Sequence, residues 1–335
     1  MDQRTSEKTL LVFNCHEAWI YQLRALGLPL DIVVGLDGRH TEGWDHQMRP
    51  IPPNARLVPL SQAFSNPTPY YCIITHNIAD LMQIKHRPEP RLLVIHSTIE
   101  GRCLEEQSTV DPASMRQTLR TYLTLTRGHA VAVSPLKGRS WGFSEDIISF
   151  CVEPGDYPPY RGELACGLRI CNFITSRRRI LMWDFQERAF AGLPVTLVGH
   201  NPGLPGVRAA ESWDHLKAHL QSHRFYIHTA DPNLEDGYNM ATVEAMAAGM
   251  PVLSNSHAGS PVEHGVSGFL SDDPQELNGY ARMLLADQDL AVRMGRAAQA
   301  CALRRFPVEA FRRKFLRSIE IARARMSLMS VIDQP

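Results

Sequence analysis

Short apolar runs recur along the chain, most of them followed by a loop and then by a stretch with helical spacing. In the first half they are Leu10–Phe13, Asp31–Val34, Tyr71–Thr75, Leu92–His96 and Ala130–Ser134. In the second half they are Leu168–Ile174, Val195–Gly199, Phe225–Thr229 and Pro251–Ser254. Continuous runs of this length, rich in Val, Ile and Leu, predict strands buried on both faces, as in parallel sheets. Helical patterns such as Pro112–Thr126 and Ile180–Phe190 lie between them. The first of these opens with Asp111 as N-cap and Pro112 at the first helical position. A last helix, Phe311–Met326, aligns Phe311, Phe315, Ile319, Ala322 and Met326 on one face. The alternation predicts an α/β chain with two parallel sheets, each covered by helices.

Two irregular stretches interrupt the pattern. Glu153–Tyr160 clusters proline near the middle of the chain and reads as a linker. Asp37–Pro69 carries six prolines and is predicted as a long loop region. The expected organisation is residues 1–152 as one Rossmann-like domain, 153–166 as linker and 167–306 as a second such domain. Residues 307–335 are expected to form the final helix, packing back on the first domain. Open parallel sheets bind ligands beyond the carboxyl ends of their strands, so two in tandem are expected to face each other across a cleft.

A length of 335 residues suits two domains. Thirty-five basic residues balance 35 acidic ones, which argues against a nucleic-acid-binding surface and requires any anionic ligand to be held locally. The seven cysteines are odd in number and form no CxxC pair, so a reducing cytoplasm is expected rather than a disulfide scaffold. No run approaches the roughly 18 apolar residues of a membrane span, and any membrane association is expected to be peripheral, at the inner face.

The chemistry concentrates in residues 235–253. Asn239 is a good N-cap, Met240–Ala248 are mostly strong helix formers, Gly249 suits the position just past the helix end, and Pro251 forbids continuation. A glycine-containing loop running into a helix start offers N–H groups and a positive dipole end, a natural phosphate site. Asp236 and Glu244 bracket that terminus, and carboxylates there accept hydrogen bonds from hydroxyls. Phosphate donors flanked by hydroxyl acceptors suggest a nucleotide sugar; an ordinary surface helix with acidic residues near its start is the alternative.

Asp236-Gly237-Tyr238-Asn239-Met240, then Glu244-Ala245-Met246-Ala247-Ala248-Gly249-Met250-Pro251-Val252, resemble the C-terminal domain of GT-B glycosyltransferases of the retaining family 4. The resemblance continues through Gly259–Glu263, Gly265–Leu270, the Leu290–Gly295 segment and Phe306, covering roughly residues 225–310. It implies a GT-B fold with the acceptor on the first domain and the nucleotide sugar on the second. It also implies metal-independent transfer of a hexosyl group to a hydroxyl of a glycan, lipid-linked or small-molecule acceptor, with retention, in glycan biosynthesis. No cofactor beyond the donor sugar nucleotide and no metal are expected. Two features depart from the family. Asp236 stands for its first glutamate, with Glu235 beside it, and the usual arginine and lysine after the first strand are replaced by Ser176-Arg177-Arg178-Arg179. Arginine forks suit phosphate oxygens.

The expected catalytic residues are therefore Asp236, Glu244, Arg179 and His96, the last ending an apolar run where the family carries a histidine facing the sugar. Donor contacts are expected from Arg177, Arg178, Gly199, Thr229, Glu235, Gly237, Tyr238, Asn239 and Met240, and acceptor-side contacts from His16 and Glu17. His215, His219 and His223 fall at helical spacing, where solvated histidines are the better reading than a metal site. The basic residues Arg312–Lys314, Arg317, Arg323 and Arg325 read as the solvated face of the last helix. A nucleotide-sugar 2-epimerase and a non-catalytic nucleotide- or glycan-binding protein remain as alternatives.

Overall fold

The computed structural model describes residues 8–36 and 42–327, so residues 37–41 of the expected loop lie outside it. The chain divides into two compact units, one of residues 1–99, 108–149 and 309–335, the other of residues 100–107 and 150–308.

The first unit contains β1 (Leu10–Phe13), α1 (Glu17–Tyr21), β2 (Leu30–Val34), β3 (Ala55–Pro59), α2 (Leu60–Phe64), β4 (Cys72–Thr75), α3 (Ile78–Gln83) and β5 (Arg91–Ile95). After α4 (Ile99–Glu105), most of which groups with the second unit, come α5 (Pro112–Leu125), β6 (His129–Ala132) and α6 (Pro135–Trp141). All six strands are parallel, in the order β3-β2-β1-β4-β5-β6. Strands β1 and β4, which are adjacent, are buried along their whole length, as continuous apolar runs require. Strand order reverses between them, which makes their carboxyl ends the natural ligand crevice of this sheet.

The second unit contains β7 (Leu164–Ile170), α7 (Trp183–Ala189), β8 (Val195–Val198), α8 (Trp213–Ser222), β9 (His223–His228), α9 (Met240–Ala248), β10 (Val252–Ser254), β11 (Gly268–Leu270), α10 (Pro274–Ala286) and α11 (Gln288–Arg305). Its five parallel strands run β11-β10-β9-β7-β8, and the order reverses between β7 and β9. Helix α9 is buried from Thr242 to Ala248 and packs on α11, where a Cβ on Gly295 would sit 1.8 Å from the Gly249 carbonyl oxygen. Only two glycines allow this approach, and Gly249, at φ 98°, also closes the helix in the left-handed conformation. The last helix, α12 (Val308–Ser327), packs within the first unit apart from its first residue. Phe315 lies 6.1 Å from Trp19 between ring centroids, Arg323 covers the Tyr71 ring at 3.6 Å, and Arg325 donates to the Gly128 carbonyl.

The structure departs from the sequence reading in four places, besides adding the short strand β11. Asp37–Pro69 is not loop throughout: β3 and α2 lie in it, and β3 was hidden because an edge strand keeps exposed polar residues and lacks a continuous apolar run. The first strand of the second unit is Leu164–Ile170 rather than Leu168–Ile174, because Ile174, although buried, gives its N–H to the Asn201 side chain. His223 does not continue the helix with His215 and His219. It opens β9, buried, with Nε2 3.0 Å from the Thr196 hydroxyl. The basic residues of α12 are not simply solvated, since Lys314, Arg323 and Arg325 donate to backbone carbonyls. No described helix is long and apolar enough to cross a membrane.

Candidate functional site

The carboxyl edge of the second sheet is built from β7, β9, β10 and the start of α9. Two asparagine amides staple the loops that leave these strands. Asn201 accepts from Ile174 N–H and donates to the Cys171 carbonyl, both at 2.8 Å. Asn255 makes the same two-way pairing with Ala230, at 3.0 Å each way. Fully buried Arg169 reaches from β7 to the Ile227 and Thr229 carbonyls, at 3.0 and 3.3 Å, and caps the end of β9.

Beneath the start of α9 lies His228, whose burial holds its pKa down to about 3, with Arg169 adding to the effect. The ring is therefore neutral. Its Nε2–H donates to the Asp236 carbonyl at 3.0 Å, which leaves Nδ1 to accept from the Thr242 hydroxyl at 3.1 Å. Thr242 in turn completes a capping box with Asn239, which is the N-cap that the sequence predicts. From above, His257 pins the same turn: its Nδ1 accepts from Gly259 N–H, so its Nε2–H donates to the Glu235 carbonyl at 3.0 Å. The His257 ring also explains Gly237, where a Cβ would meet it at 2.7 Å.

The expected site residues take unequal places in this frame. Asp236 and Glu244 are both buried, Glu244 on a stretch of helix with no other charge. Glu235 accepts from the Asp236 N–H at 2.9 Å with one oxygen and faces Arg177 at 3.6 Å with the other. Met240 begins α9, half-buried. Three residues expected at the donor are engaged within the fold. Tyr238 is buried in an aromatic group with Phe150 and Phe306. The Thr229 hydroxyl is sealed and donates to the Leu181 carbonyl at 2.6 Å. Gly199 serves close backbone packing, since a Cβ there would lie 2.1 Å from the Cys171 carbonyl oxygen.

The three arginines separate clearly. They sit on a turn between β7 and α7 bounded by Phe173 and Met182, both held at positive φ near 50°, a strain that tends to gather at functional sites. Arg177 is half-buried, between Glu235 and Glu105, the latter at 3.3 Å. Arg178 is exposed and pairs with Asp184 and Glu187 of α7. Arg179, expected as catalytic, is exposed and makes no ion pair among the described residues. Sequence order could not make this choice, because it depends on which way a strained turn faces.

In the first unit, His16 is the N-cap of α1, its Nδ1 accepting from Trp19 N–H at 3.2 Å, and Glu17 accepts from Asp45 N–H at 3.3 Å. His96 follows β5 and meets a residue that the sequence reading missed. His76, following β4, places Nδ1 2.9 Å from His96 Nε2. Both rings stand edge-on to Trp19, and burial holds both pKa values down, that of His76 to about 3. Cys15, just past β1, completes a group with ligand atoms all within 4.8 Å of one another. Nothing in the spacing 15, 76 and 96 signals this group; adjacency of β1, β4 and β5 creates it.

Residues 191–287 match the glycosyl transferases group 1 family. No curated protein sequence matches the chain. Among solved structures, the chain is similar to HepE from Anabaena in complex with UDP and glucose, at TM-score 0.63 and 14% identity over 93% of this chain and 99% of that one. Sucrose-phosphate synthase from Thermosynechococcus elongatus gives the same score and identity over 97% and 100%. A glycosyltransferase from Rickettsia africae gives 0.61 and 13% over 94% and 98%. Residues 191–287 thus match the glycosyl transferases group 1 family, within a fold of two parallel-sheet α/β domains like that of GT-B glycosyltransferases.

Proposed function

We propose that the protein transfers a sugar from a nucleoside-diphosphate sugar to an acceptor hydroxyl with retention of anomeric configuration. The observation that carries this reading is the corner before α9, where Asp236, Glu235 and Glu244 adjoin a helix N-terminus and Arg177 is brought beside Glu235. The start of α9 is a helix N-terminus, and its dipole favours an anion. Arg177 adds a planar fork of donors for the diphosphate. As the bond from anomeric carbon to diphosphate oxygen breaks, charge grows on that oxygen and meets these fixed donors. The acceptor oxygen bonds to the anomeric carbon from the same face and passes its proton to the departing oxygen. Glu244 accepts from the ribose hydroxyls and Asp236 from those of the sugar. Glu235, engaged with Arg177, serves to position it. The UDP and glucose in the HepE structure make UDP-sugars the first donors to test.

The test is incubation with a panel of nucleotide sugars, scoring nucleoside diphosphate release with and without acceptors. Acceptor-dependent release is expected. Conversion of the donor without acceptor would mean epimerisation, and tight binding with neither outcome would mean a non-catalytic binding protein.

A further inference from the structure

Beyond transfer chemistry, we propose that Cys15, His76 and His96 form a binding site for a zinc-type divalent cation at the carboxyl edge of the first sheet. The three residues come from the ends of three adjacent parallel strands, β1, β4 and β5, where the reversal of strand order opens the crevice. Their side chains supply one thiol sulfur and two imidazoles, a soft donor set that selects zinc and its chemical neighbours over magnesium or calcium.

Three observations converge. The ligand atoms lie within 4.8 Å of one another, and the two rings already approach to 2.9 Å between nitrogens. Zinc bonds of about 2.3 Å to sulfur and 2.0–2.1 Å to nitrogen set tetrahedral ligands roughly 3.3–3.7 Å apart. Closing the set therefore takes about 1 Å of side-chain movement, and as the cation takes His76 Nδ1 and His96 Nε2 the proton shared between them moves to His76 Nε2. Second, His76 Nε2 is buried with no hydrogen-bond partner. An unmet buried polar atom is unfavourable, and with His76 Nδ1–H donating to His96 the Nε2 atom is a bare nitrogen able to take that proton when a cation binds Nδ1. Third, the surroundings fix the rings as ligands require: Trp19 packs edge-on against both at 4.7 and 5.0 Å, and Asp80 accepts from the His76 backbone N–H at 2.8 Å. On binding, the Cys15 sulfur–hydrogen bond gives its proton to solvent and the thiolate bonds to the cation. Three protein ligands leave a fourth position for water or a substrate oxygen.

The full chain, freed of metal by dialysis against a chelator, is titrated with Zn2+ against a chromophoric competitor, and separately with Co2+ while the near-ultraviolet sulfur-to-cobalt band is followed. One equivalent of either ion and a cobalt–thiolate band are expected, together with a rise in melting temperature on adding zinc. Cys15→Ser should abolish the band and weaken zinc binding by more than the roughly 10- to 100-fold that loss of an outer-shell partner costs. His76→Gln should weaken binding likewise, and its circular dichroism reports whether it still folds. Cys103→Ser and Cys166→Ser, which change thiols outside the group, should bind as the parent does. Substoichiometric zinc in the parent, or unchanged binding and an unchanged cobalt band in Cys15→Ser, would overturn the proposal.

Discussion

Arg177 and His228 are single side chains on which the proposed donor site can be tested, one beside Glu235 and one beneath α9. If Arg177 meets the charge that grows on the leaving diphosphate, Arg177→Ala should lower kcat by on the order of a hundredfold while KM changes less. Arg178→Ala, whose guanidinium pairs with α7, and Arg179→Ala, exposed, should stay near the parent rate. Arg177→Lys should recover part of the loss, without the forked geometry. Equal rates in all three alanine variants would place the diphosphate elsewhere. His228 affects stability instead. Its folded pKa, held to about 3, lies below the ordinary 6.5, so the unfolded chain binds the extra proton first as the solution acidifies. Its contribution is fully present above pH 6.5 and is lost as pH falls towards 3, at up to ~1.4 kcal/mol per pH unit. Arg169, Glu235 and His257 are the charged or titratable groups that share its field. His228→Gln, which keeps a donor towards Asp236, should flatten part of the acid limb in denaturant titrations at pH 7 and pH 5. An unchanged slope would show that His228 is not the titrating group.

At the scale of elements, the site depends on α9 being driven into the second unit so that its N-terminus and Glu244 have one fixed position. Gly295→Ala tests this, because the new Cβ would meet the Gly249 carbonyl oxygen at 1.8 Å and must push α11 from α9. A loss of about 1–3 kcal/mol in stability is expected, the usual result of overpacking, with transfer impaired in the protein that remains folded. Parent-like melting in this variant would mean that the two helices are not closely packed. Glu244→Gln keeps the shape of the same helix and removes the charge. A charged hydrogen bond contributes about 1.5–3 kcal/mol, so a loss of roughly 10- to 150-fold in kcat/KM is expected with the melting temperature little changed. Full activity would remove Glu244 from the donor site.

For the whole molecule, a nucleoside diphosphate should stabilise only the unit that binds it. At a hundred times its Kd it contributes about 2.7 kcal/mol, so one thermal transition should rise by several degrees while any transition of the first unit stays in place. A shift of the first unit's transition alone would move the nucleotide site. How much of this was visible beforehand follows from the range of the forces involved. The buried central strands, the capped helix from Asn239 to Gly249 and the carboxylates around it were written in local sequence, because burial period, caps and helix stops act within a few residues. The edge strands β3 and β11 escaped notice because, half-exposed or only three residues long, they lack a continuous apolar run. The half-burial of Arg177 beside Glu235 where its two neighbours are exposed, the enclosure of Thr229 and Tyr238, and the buried Arg169 and His228 beneath α9 were decided by tertiary structure. So was the meeting of Cys15, His76 and His96. These depend on which strands become neighbours and which way a turn faces once distant residues pack, and no local pattern encodes either.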